Sequence, residues 1–191
     1  MVAGALTGDV KIVGLRYHDG QGDSRIIGIL EEMGVTISHN HKQVSVSKSE
    51  PRAIDIDVSE IPDLVPILCV LATQAKGLTR MFNARRLQFK ESNRLRTITT
   101  ELRKYGANIE ITSDQIEIKG PTRLYGSTID PHGDHRIAMA CVVACLASKH
   151  ISVINDVECI EKSYPNFIRD MVTLGARIEY SSEGESGRGN Q

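Results

Sequence analysis

Apolar positions along the chain switch between helical spacing and strict alternation, and the same switch comes round three times. A run with apolar residues three and four apart closes on glycine at Ile29-Leu-Glu-Glu-Met-Gly34, at Glu101-Leu-Arg-Lys-Tyr-Gly106 and at Asp170-Met-Val-Thr-Leu-Gly175. These glycines are 72 and 69 residues apart. A glycine just past the last helical turn takes the left-handed conformation at no steric cost, and an alternating β-type run begins directly after each one. Each passage therefore predicts a helix, a tight stop and a strand.

A second element recurs at the same period. Asp63-Leu-Val-Pro-Ile-Leu-Cys-Val-Leu-Ala-Thr and Asp134-His-Arg-Ile-Ala-Met-Ala-Cys-Val-Val-Ala open with aspartates 71 residues apart. Each predicts a helix apolar nearly all round, which is the signature of a helix inside a domain. Strand-like runs precede them, at 53–58 and 127–130, and follow them, at 78–82 and 151–154. The repeat is thus β-α-β-α-β-β, and the predicted class is α/β (or α+β) with units at about 1–50, 51–120 and 121–180. The first unit is incomplete, because residues 3–13 match only the tail of the buried helix and the strand after it. That reads as a chain starting inside an element, with a helix, a strand and a further domain upstream. Residues 181–191 are polar and Gly-rich and are expected to form a flexible tail.

Composition narrows the function classes. Lys and Arg number 23 against 24 for Asp and Glu, a net charge of −1 that argues against bulk binding to nucleic acid or to a membrane surface. The longest wholly apolar run, Ile137 to Ala147, has 11 residues, where a spanning helix needs about 20. The first residues carry no basic, apolar leader pattern. Cys69, Cys141, Cys145 and Cys159 lie among aliphatic residues with no C-x-x-C pair, as reduced cysteines of a cytoplasmic protein do.

Charge is concentrated where the helices begin. The outer helices open Gln21-Gly-Asp-Ser-Arg25, Lys90-Glu-Ser-Asn-Arg94 and Lys162-Ser-Tyr-Pro-Asn-Phe167, and the buried ones Ile61-Pro-Asp63 and His132-Gly-Asp-His-Arg136. Cations at a helix N-terminus oppose its dipole, so their clustering suggests an anion held between them. Plainer readings stand beside this one: Lys90, Glu91 and Arg94 as a solvated helix face, and Asp63 and Asp134 as N-caps. His132 with His135 in a turn, and Cys141 with Cys145 on an apolar helix face, do not make a metal site.

The strings Lys90-Glu-Ser-Asn-Arg-Leu95, Gly133-Asp-His-Arg-Ile-Ala-Met-Ala140, Glu161-Lys-Ser-Tyr-Pro-Asn-Phe167 and Ile61-Pro-Asp63, in this order, resemble the 5-enolpyruvylshikimate-3-phosphate (EPSP) synthase family over about residues 3–180. The resemblance implies two similar domains of three units each, with pseudo-threefold symmetry and helices buried inside sheets, an inside-out α/β barrel of which this chain matches the C-terminal one. It implies shikimate 3-phosphate and phosphoenolpyruvate as substrates, no cofactor, and a site completed by the N-terminal domain. By the same resemblance Asp63 is the base on the 5-hydroxyl and, with Lys90, a contact to shikimate 3-phosphate. Arg94, Arg136 and Lys162 hold phosphoenolpyruvate, and Glu91 donates a proton to the methylene with His135 in support. A carboxylate beside Lys90 starts with a lowered pKa, so Glu91 is expected in a partly desolvated place. Asn93 and Gln88 depart from the family's usual Asp and Arg. Two other functions share the fold: a non-catalytic binding module, and the enolpyruvyl transferase acting on UDP-N-acetylglucosamine.

Overall fold

The computed structural model describes residues 1–15, 22–40 and 43–180. The first unit holds α1 (Val2–Thr7), β1 (Val10–Val13), α2 (Arg25–Glu32), β2 (Ile37–Asn40) and β3 (Gln43–Val46). The second shows the predicted order in full: β4 (Asp55–Asp57), α3 (Val65–Gln74), β5 (Gly77–Phe82), α4 (Arg94–Lys104), β6 (Asn108–Thr112) and β7 (Gln115–Gly120). The third holds β8 (Thr128–Ile129), α5 (His135–Ala147), β9 (Val153–Ile154) and α6 (Phe167–Thr173). Short 3-10 turns at Ala84–Phe89 and Val157–Lys162 stand before α4 and α6.

One helix of each unit, α1, α3 and α5, packs against the other two at the centre. That is where their uniform apolarity belongs: Val65, Leu68, Cys69, Val70, Leu71 and Ala72 of α3 are all fully buried, as are Ile137, Ala138, Cys141 and Ala144 of α5. Pro66 lies in the first turn of α3, where its missing N–H costs nothing. Around them the strands form sheets of order β1-β3-β2, β4-β5-β7-β6 and β8-β9. β4 pairs with β5, and β8 with β9, in parallel, each pair bridged by its buried helix. In β5 and β7 the alternate residues Thr79, Met81, Ile116 and Ile118 face the helices and are buried.

The helix stops lie where they were expected, with Gly34, Gly106 and Gly175 at φ 81°, 89° and 102°. A strand follows the first two. The third differs: residues 176–180 form no strand. β2 and β6 are each held by a returning strand, β3 and β7, and the residues that could return on 176–180 fall in 181–191, outside the described residues, as does the expected tail.

Candidate functional site

The site grows from the starts of the helices. Asn93 caps α4, its side chain accepting the Arg96 N–H at 3.2 Å. An Asn performs that task as an Asp does, which accounts for the residue found there; Gln88 is exposed in the preceding turn. The cap fixes Arg94 as the first residue of α4 and aims it inward, where its side chain is only 1% exposed. Its Nε donates to Asp134 Oδ2 at 2.8 Å, one terminal nitrogen donates to Asp63 Oδ1 at 2.7 Å, and the other donates to Glu91 Oε2. Arg94 thus ties the second unit to the third. Ser92 Oγ adds a hydrogen bond to Asp134 Oδ2 at 3.1 Å.

The two aspartates that occupy equivalent places in the sequence separate in space. Asp134 is the true N-cap of α5, accepting the Arg136 N–H at 3.0 Å, and is fully buried. Asp63 is one residue too early to cap α3, whose N-cap is Leu64 with no side-chain bond. Its carboxylate is a third exposed (34%) and meets Lys90 Nζ at 3.1 Å, Arg94 at 2.7 Å and Arg136 at 3.3 Å. Arg136 also donates to the Asp63 carbonyl at 3.2 Å and lies 3.8 Å from Asp23, at the start of α2. All three units therefore reach one cluster.

Burial by itself would raise the Asp63 and Asp134 carboxyls, but for Asp63 the hydrogen bonds from Arg94 and Lys90 with the Arg136 charge, and for Asp134 the Arg94 fork, hold both below the ordinary carboxylate range. Burial likewise disfavours the Arg94 cation, and Asp134, Asp63 and Glu91 more than offset it, so its pKa is raised. Within the cluster Asp23, Asp63, Glu91 and Asp134 face Lys90, Arg94 and Arg136. Three of the cations that the sequence suggested were waiting for an anion, Lys90, Arg94 and Arg136, are satisfied by carboxylates of the same chain.

Of the seven residues singled out from the sequence, Asp63, Lys90, Glu91, Arg94 and Arg136 form this one network. Glu91 is half exposed (50%) and pairs with Arg94. His135 is half buried in the first turn of α5, with no hydrogen bond or ion pair among the described residues. Lys162 is exposed at the end of its 3-10 turn and joins no ion pair among the described residues, so the structure does not bring it into the cluster. Asp134, Ser92 and Asp23 were not among the seven. Only Asp134 carried a signal, its place 71 residues after Asp63. A separate hollow of about 430 Å³ lies at the far ends of the buried helices, beside Thr7, Gln74 and Ala147, away from this chemistry. Among the described residues no group of three or more His, Cys, Asp or Glu could hold a metal ion.

The arrangement can hold an anion on Lys90, Arg94 and Arg136 in exchange for their carboxylates, and present a carboxylate base beside it. Comparison with known proteins identifies the family. The chain is 44% identical over 178 residues to a 3-phosphoshikimate 1-carboxyvinyltransferase of Brachyspira hyodysenteriae, covering 92% of the chain and 42% of that protein. It is 42% identical over 174 residues to one of Methanocorpusculum labreanum, covering 91% and 41%. It therefore spans about two fifths of these curated relatives. The solved EPSP synthase of Acinetobacter baumannii superposes with a TM-score of 0.81 at 25% identity, over 95% of this chain and 45% of that one. The enolpyruvyl transferase NikO of Streptomyces tendae shares the fold, with a TM-score of 0.74 at 20% identity over 94% of this chain and 42% of that one. The family model for EPSP synthase (3-phosphoshikimate 1-carboxyvinyltransferase) matches residues 1–171, and the chain belongs to the EPSP synthase family.

Proposed function

We propose that residues 1–180 are the C-terminal domain of a cytoplasmic 3-phosphoshikimate 1-carboxyvinyltransferase of the shikimate pathway. It would transfer the enolpyruvyl group of phosphoenolpyruvate to the 5-hydroxyl of shikimate 3-phosphate and release inorganic phosphate. The observation that carries this reading is the Asp63 carboxylate in contact with Lys90, Arg94 and Arg136. The 5-hydroxyl oxygen bonds to C2 of phosphoenolpyruvate as its proton passes to Asp63, and the methylene carbon gains a proton from Glu91. Loss of phosphate from the tetrahedral adduct, taking the proton from Asp63, while the methyl returns a proton to Glu91, restores the double bond and both carboxyl groups. Asp63 begins as a poor base because three cations hold its proton affinity down. When the phosphate and carboxylate of phosphoenolpyruvate take over Arg94 and Arg136, with Lys162 as a further contact, the two arginines no longer face Asp63 alone, and its basicity rises as substrate arrives. Lys90 then serves shikimate 3-phosphate, and His135 supports Glu91, whose exposure is removed when the N-terminal domain covers the site.

The chain alone is expected to fold, to bind anions weakly and not to turn substrate over. Mixing it with a separately made N-terminal domain and both substrates should restore phosphate release. A well-folded, associated mixture without activity would overturn the proposal.

A further inference from the structure

Seven residues after Arg94, two helical turns along α4, stands a second buried acid that the reaction does not use. Glu101 is fully buried. Its Oε2 accepts the Lys104 Nζ at 2.7 Å and the Asp130 backbone N–H at 3.0 Å, while Oε1 accepts no hydrogen bond among the described residues. His132 Nε2 lies 3.9 Å from Oε1. Taking a carboxylate out of water costs several kcal/mol, and an apolar side chain of equal volume is often as good for stability. Stability alone therefore does not account for an acid at this place.

What Glu101 holds is the loop that leads into α5. Asp130, anchored by its amide, accepts the His132 N–H on Oδ1 at 2.7 Å, with the imidazole 3.7 Å from Oδ2. His132 and Gly133 are both left-handed, at φ 52° and 70°, and the Asp134 N–H closes the turn on the Pro131 carbonyl at 3.0 Å. A left-handed His costs about 1–2 kcal/mol and persists only where its surroundings impose it. The next residue is Asp134, which receives Nε of Arg94. Arg94 and Glu101 thus grip the two ends of one five-residue turn, 130–134, from one helix.

We propose that Glu101 is a positioning residue: by fastening residues 130–132 to α4 it sets Asp134, and through Asp134 the direction of the Arg94 fork. Its importance for catalysis rests on the function proposed above, but the mechanical link does not, and it is tested without activity. The readout is solvent exchange of the Arg94 Nε–H, followed by 15N NMR on the full chain. Glu101→Met keeps the volume and removes the acceptor; it should speed that exchange about tenfold or more by loosening the turn. Glu101→Gln still offers an oxygen to the Asp130 amide and should stay within about threefold of the parent, as should Ile98→Val, which thins the core of the same helix without touching the turn. Asp130→Ala, a change at a half-exposed position that folding tolerates, cuts the link to His132 and should also speed exchange, so the test survives if Glu101→Met does not fold. Unchanged exchange in Asp130→Ala or in folded Glu101→Met, or equal acceleration in Ile98→Val, would overturn the proposal. Loss of phosphate release in the reconstituted enzyme would bear on the function and leave this link standing.

Discussion

Arg94 spends its whole guanidinium on Asp134, Asp63 and Glu91 in a place almost closed to water. A Lys has one compact charge and no planar fork, so Arg94→Lys leaves Asp134 buried without its partner. The expected cost is about 3–5 kcal/mol, read as a lower urea midpoint. Asp63 and Asp134 also set an acid limit. Both carboxyls are held below their unfolded value of about 3.9, so the stability they contribute is present above that pH and is lost as pH falls through their folded values. The urea midpoint should hold steady down to about pH 5 and drop below about pH 4, and Asp63→Asn should make the drop shallower. Asp63 further masks three cations. In the isolated chain Asp63→Ala should tighten inorganic phosphate binding about tenfold at low salt by calorimetry, while turnover of the reconstituted enzyme falls. Weaker phosphate binding would show that Asp63 is not the mask. The sequence presented Asp63 and Asp134 as one kind of residue, since both precede an apolar helix. The difference is a single residue of helix start: α5 begins directly after Asp134, whereas α3 begins after Leu64 and leaves Asp63 out in the cluster.

At the level of elements, periodicity was enough to find the buried helices, because a helix surrounded by protein has no polar face to keep. It also found their neighbours' ends, because a left-handed stop selects glycine. Those stops can be tested against a glycine that has no such duty. Gly106→Ala should destabilise by about 1–2 kcal/mol, since φ stays at 89° after α4. Gly28→Ala, on the exposed face of α2 with open space around it, should stabilise by about 0.5–1 kcal/mol. Equal shifts in the two urea midpoints would refute that assignment. A further repeat was hidden from the sequence. Gly14, Asn83 and Asp156, soon after β1, β5 and β9, are all left-handed, at φ 81°, 62° and 48°. Asn83 and Asp156 each lead from a strand into the 3-10 turn before an outer helix. Three different side chains satisfy that one backbone demand, so no common letter marked it. Residues 176–180 form no strand, and the residues that could pair with them lie outside the described ones.

Over the whole molecule, three units turn their helix starts toward one cluster, and the chain accounts for about two fifths of its curated relatives. The charges in that cluster are nearly balanced among themselves, so anion binding by this part alone should be weak and sensitive to salt. Local sequence determined what depends on nearby residues: the period of each element, the glycine stops, the threefold recurrence and the choice of Asp63, Lys90, Glu91, Arg94 and Arg136 as candidates. It could not state which charge meets which, because Asp63, Arg94 and Arg136 lie 31 and 42 positions apart along the chain and touch only when α3, α4 and α5 pack. Tertiary packing alone decided that the cations would be paired, that Asp134 would be buried with Arg94, and that Glu101 would reach the turn before α5. Burial removes water as a partner, and each charge must then find its counterpart wherever the fold brings one.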